Sequence, residues 1–152
     1  MDPIFERLVE LARSVDVARP EEARRELERL LPPAGPEALR ISERLRELLR
    51  EGAVANRGEL PVKYGRVAKA GPETHGYSID VVHMSGPGPL HRHPNGEIDL
   101  CFALSGEPTF DGHPPGWVVY GADSKHVPTV AGGEMVIVYL LPGGAIEFIG
   151  AN

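Results

Sequence analysis

The spacing of apolar residues changes period once along the chain, near residue 52. Before that point apolar residues recur every three or four positions: Ile4, Leu8, Leu11 and Val15, then Ala23, Leu27 and Leu30, then Ile41, Leu45, Leu48 and Leu49. Each residue of a helix turns about 100°, so this spacing gathers one apolar stripe per segment. Glu and Arg fill the positions between and belong to solvated outer faces. Pro3, Pro20 and Pro36 stand where the first turn of a helix has no use for an N–H, and Gly52 stands where a helix can stop. The run LPPAGP over residues 31–36 separates the second segment from the third. Residues 3–51 are therefore predicted to form three amphipathic helices, whose stripes must pack on a partner surface.

Beyond residue 60 the pattern becomes short and extended. Strands are predicted over residues 62–69, 76–84, 97–104, 116–120, 134–140 and 145–149, each β-branched or aromatic. Gly/Pro clusters such as SGPGP (residues 85–89) and DGHPPG (residues 111–116) divide them. Regular short strands without intervening helices indicate an antiparallel barrel or sandwich. The expected organisation is a helical region over residues 1–58 packed on a β domain over residues 59–152, a mainly β fold preceded by about three α-helices.

Composition narrows the function classes. Sixteen basic against 22 acidic residues give a net charge of −6, which argues against a non-specific nucleic-acid binder. Cys101 is the sole cysteine, so no intrachain disulfide can form. The N-terminus has charges throughout and no apolar leader, and the longest apolar run, residues 135–141, is far too short for a membrane-spanning helix. A cytoplasmic protein without nucleic-acid or membrane partners is expected. Open strand edges and apolar helix stripes would support a homodimer or higher homo-oligomer.

The chemistry concentrates in residues 91–97, HRHPNGE. His91 and His93 share one face of an extended strand, because side chains alternate with period 2. Pro94-Asn95-Gly96 can turn the chain so that Glu97 returns to that face. Imidazole and carboxylate without thiolate make a mixed N/O site that suits Fe, Mn, Zn, Co or Ni as a divalent ion. A later histidine, His126, follows an extended segment and a turn. The alternative reading is a fold whose histidines are polar lining only. His75, His83 and His113 read as loop or surface residues, His83 having a lesser claim to stand behind the ligands. Cys101 reads as small buried filler, and Asp99 shares its face with Glu97.

These residues resemble the cupin superfamily, whose first motif is G-(x)5-H-x-H-(x)3,4-E-(x)6-G and whose second is G-(x)5-P-x-G-(x)2-H-(x)3-N. His91, His93, Glu97 and His126 fall on the ligand positions. The turn positions depart: Gly86 and Gly106 are offset, Gly121 and Asp123 replace Pro and Gly, and Val130 replaces Asn. The resemblance implies a small antiparallel β-barrel of double-stranded jelly-roll type, with those four residues as metal ligands.

A narrower resemblance covers most of residues 60–150. HRHPNGEID (residues 91–99), GWVVY (116–120), PTVAGG (128–133) and YLLPGGAIEF (139–148) are similar to the 4-hydroxylaminobenzoate lyases of bacterial nitroaromatic degradation. That family converts 4-hydroxylaminobenzoate and water into 3,4-dihydroxybenzoate and ammonia. The resemblance implies a metal-dependent lyase acting on a small aromatic substrate, with Glu97 or Asp99 as proton shuttle. The reaction is redox-neutral, which agrees with the lack of any dinucleotide or phosphate-loop glycine motif. A substrate carboxylate wants a cation, preferably arginine. Arg92 alternates away from the ligand face, leaving Arg66, Lys63, Lys69 and Lys125 as candidates. Two other readings fit the same ligands: an iron dioxygenase acting on an aromatic substrate, and a non-catalytic cupin that binds a small molecule.

Overall fold

A computed structural model describes residues 1–149. The three helices are α1 (Pro3–Ala12), α2 (Pro20–Leu30) and α3 (Pro36–Arg50), each with proline in its first turn. Asp2 caps α1 by accepting the Ile4 N–H at 3.1 Å, which satisfies one of the otherwise orphaned donors. Gly52, at φ +71°, ends α3 as the N–H groups of Gly52 and Ala53 turn back onto the Leu49 and Leu48 carbonyls.

Nine strands follow among the described residues: β1 (Arg57–Glu59), β2 (Val62–Ala68), β3 (Tyr77–Met84), β4 (His91–His93), β5 (Glu97–Phe110), β6 (Gly116–Tyr120), β7 (Ser124–His126), β8 (Val130–Pro142) and β9 (Glu147–Phe148). All pairs are antiparallel. They form a six-stranded sheet in the order β1-β2-β3-β8-β5-β6 and a three-stranded sheet in the order β7-β4-β9. The expected single barrel is therefore a jelly-roll-like pair of sheets without closure. The small sheet's strands span only two or three residues, too few to bridge to both edges of the larger one.

The two faces of the large sheet have different partners. Ile79, Val81, Ile98, Leu100, Trp117, Val136 and Val138 join Phe5, Leu8, Leu27, Ile41 and Leu45 of the helices in one buried cluster. Their alternates along the same strands, including Val82, Met84, Cys101, Val118, Ile137 and Tyr139, form a second cluster on the opposite face. The helical stripes thus pack against one side of the sheet, and the other side is left to a cavity.

Two strands run longer than the apolar pattern predicts. β5 continues to Phe110 and β8 begins at Val130, pairing through register shifts between Ala103 and Ser105 and between Gly106 and Thr109. The Gly and Pro residues that look like strand ends lie at bulges in this arm. β9 is shorter than predicted, and β1 was not anticipated because its three residues, Arg-Gly-Glu, are all exposed.

Candidate metal centre and its cavity

His91 and His93 project from β4 into the interior, both buried, while Arg92 between them faces outward and pairs with Asp123 and Glu147. β7 runs antiparallel to β4 with His126 directly opposite His91. The turn after β4 passes through Gly96 at φ +86° and delivers Glu97 as the first residue of β5. The small sheet therefore supplies three imidazoles and the large sheet the carboxylate.

Four side-chain atoms converge. His126 Nε2 lies 2.9 Å from His91 Nε2 and 3.4 Å from His93 Nε2. Glu97 Oε2 is 2.8 Å from His93 Nε2, and Glu97 Oε1 is 3.0 Å from His126 Nε2. Neither Glu97 oxygen has a partner in hydrogen-bond geometry, though both are buried. Cis ligands about 2.1 Å from a common octahedral centre sit about 3.0 Å apart, close to the separations seen here. Three imidazoles and a carboxylate converging on one point fit a mononuclear metal ion, and the four ligating atoms lie within 4.8 Å of one another.

Electrostatics across the cluster are uneven. Burial, followed by the other two histidines, pushes His91 down to about 4. Burial also opposes the charge on His126, but the Asp111 and Glu97 carboxylates outweigh it and raise this histidine to about 9. Burial likewise works against ionised Glu97, yet His126 and His93 bring it down to about 2. Asp99 lies fully buried two residues further along β5; burial first and the Glu97 charge next push its carboxyl well above the usual range. Asp99 does not line the cavity.

That cavity has a volume of about 840 Å³ and opens onto His91 and His93. Val62, Val82, Met84, Leu141, Ile146 and Phe148 supply apolar walls, with Tyr64 and Tyr139 among them. Of the cationic residues considered from sequence, only Arg66 reaches it; Lys63, Lys69 and Lys125 do not. Arg66 is already committed to Asp80 through a fork of 3.0 and 3.2 Å. Arg57 also lines the cavity and has no ion pair among the described residues. It stands opposite Tyr64 in the β1–β2 register, which places both side chains on one face. Sequence reasoning missed it because β1 carries no strand signal.

Asp111 was also missed. With Gly112 it makes a two-residue turn closed by paired Phe110 and His113 backbone bonds of 2.8 Å. Asp-Gly is a strong hairpin signal, and that role hid the side chain's contact with His126 Nδ1 at 2.6 Å. The remaining histidines lie elsewhere. His83 pairs with Glu134 at 2.7 Å on the face of β3 turned from the cavity, His75 approaches Arg13, and His113 is exposed. Cys101 is buried, and burial raises its thiol well above the ordinary value, which makes it inert filler.

Residues 6–148 match the profile of a protein family described as PnbB, 4-hydroxylaminobenzoate lyase. The chain belongs to the 4-hydroxylaminobenzoate lyase family. A 4-hydroxylaminobenzoate lyase of Nocardioides sp. (strain LMS-CY) is 30% identical over 120 residues, covering 72% of this chain and 70% of that protein. Among solved structures, an RmlC-like cupin protein from Ralstonia eutropha JMP134 aligns with a TM-score of 0.42 at 16% identity, over 60% of this chain and 62% of its own. An oxalate oxidase bound to the substrate analogue glycolate aligns with a TM-score of 0.46 at 20% identity, over 60% and 57%. The chain spans less than two thirds of either solved structure. No helix of this family member, among the described residues, is long and apolar enough to cross a membrane.

Proposed function

We propose that the chain is a metal-dependent lyase that converts 4-hydroxylaminobenzoate and water to 3,4-dihydroxybenzoate and ammonia. The observation that carries this reading is the convergence of His91, His93, Glu97 and His126 beside an apolar-walled cavity in a member of this family. Those four residues would hold the ion. When bound, a divalent ion supplies Lewis acidity toward the N-hydroxyl oxygen.

The chain's own groups divide the remaining work. His91 is neutral near pH 7, with its pKa held at about 4, and is ready as a ligand. Apolar walls exclude bulk water from the ring, and Arg57, without an ion pair among the described residues, binds the substrate carboxylate. Glu97 is committed as a ligand and is a poor proton shuttle. Asp99, whose carboxyl burial and the Glu97 charge push well above the usual range, does not line the cavity and is not placed to touch the substrate. Loss of the N-hydroxyl group as water, addition of water at the neighbouring ring carbon, and hydrolysis of the resulting imine by a second water balance to one water consumed and one ammonia released.

The test is anaerobic turnover of 4-hydroxylaminobenzoate by metal-replete protein, with ammonia and 3,4-dihydroxybenzoate both measured and chelator added in a parallel arm. Equal amounts of both products, lost with chelator, are expected. A dependence on oxygen would favour the dioxygenase reading, and no product above the buffer blank would overturn the lyase assignment.

A further inference from the structure

We propose that Asp111 is a positioning residue that fixes the tautomer of His126, so that this ring presents a lone pair, and not an N–H, to the metal position. The inference rests on the reading of the four-residue cluster as a metal site. Asp111 and His126 are 15 residues apart in sequence and meet because the Asp111-Gly112 turn folds back onto the segment between β7 and β8.

Three donors reach the two oxygens of Asp111. The Thr129 backbone N–H donates to Oδ1 at 2.8 Å, the Tyr120 hydroxyl donates to Oδ2 at 2.8 Å, and His126 Nδ1 lies 2.6 Å from the same Oδ2. A carboxylate only accepts, so His126 must carry its proton on Nδ1 to use this contact. In the neutral ring that a metal requires, this bond makes Nε2 the lone-pair nitrogen, and Nε2 faces His91, His93 and Glu97. An outer carboxylate of this kind orients a ligating ring and raises its basicity.

The Asp111→Asn variant separates this role from a structural one. Asparagine suits the left-handed first position of an Asn-Gly hairpin as well as aspartate does, so the turn at φ +50° is preserved. Its Oδ1 still accepts from Thr129, and its Nδ2 then faces Tyr120 and His126. All these contacts remain satisfied if the Tyr120 hydroxyl rotates and His126 moves its proton to Nε2. That tautomer points an N–H at the metal position. The fold survives while His126 no longer offers its lone pair to the ion, the same logic by which an Asp→Asn change mis-sets the histidine of a serine-protease triad.

The experiment measures zinc affinity by chelator competition for wild type and Asp111→Asn, with circular dichroism and melting of both metal-free proteins. Affinity is expected to fall about 10–100-fold, with the circular dichroism spectrum of the metal-free protein unchanged and its Tm lowered only by loss of the Asp111–His126 charge pair. Equal affinities would overturn the proposal while leaving the metal site intact. Failure of the wild type to bind zinc would overturn the site and the proposal together. Should the variant not fold, the zinc-loaded wild type decides: a solvent-protected, low-field Nδ1–H proton from His126 supports the proposal, and its absence overturns it.

Discussion

His126 binds metal only as the neutral ring, yet the Asp111 and Glu97 carboxylates hold it protonated up to about 9 in the metal-free protein. Below that value each ion must displace a proton, so affinity rises with pH, by about tenfold per unit from this group alone between about pH 6 and 8. Chelator competition at several pH values checks this, and a pH-independent constant would contradict it. Arg57→Gln should raise KM for 4-hydroxylaminobenzoate about tenfold or more, the loss of one charge-assisted bond. Turnover of the uncharged 4-hydroxylaminobenzamide should change little; equal losses on both substrates would remove Arg57 from carboxylate binding. The two histidines of β4 and Glu97 were legible because a period of 2 and a short turn are local properties. Arg57 and Asp111 were not, since each acquires its role from a residue across a strand pair or a folded-back turn.

The turn from β4 to β5 illustrates how an element positions a ligand. A Cβ at Gly96 would stand 2.7 Å from the Tyr120 carbonyl, at a φ of +86° that other residues rarely adopt. Gly96→Ala should therefore cost at least about 1–2 kcal/mol of stability and weaken zinc binding by shifting Glu97, both readable in one titration series with melting curves. Unchanged binding would mean that the turn tolerates the methyl group and that Glu97 is held from within β5. Proline at the first turn and glycine at the stop made the helices plain from sequence. The long β5–β8 arm was obscured because its glycines resemble punctuation but sit in bulges within a continuous ladder. β1 and β9 have too few residues for any periodicity to emerge.

Across the whole molecule, the six-stranded sheet separates a helix-packed face from a cavity-facing one. Leu27→Ala, at a fully buried position of α2, should cost about 2–5 kcal/mol while leaving zinc affinity near the wild-type value below the melting point. A parallel loss of affinity would mean that the helices and the site are coupled. Saturating zinc at about 1,000 times its dissociation constant should stabilise the wild type by about 4 kcal/mol, seen as a raised Tm that chelator reverses. The same partition gives Trp117 a use. It is the only tryptophan in the chain, buried on the helix-facing side of β6, and its indole N–H donates to the Leu31 carbonyl at 3.1 Å, just beyond α2. Its fluorescence is thus a native optical gauge of helix docking. Zinc titration should leave the emission maximum in place, whereas release of α2 into water should shift it to the red, so the two events can be timed separately without any added label.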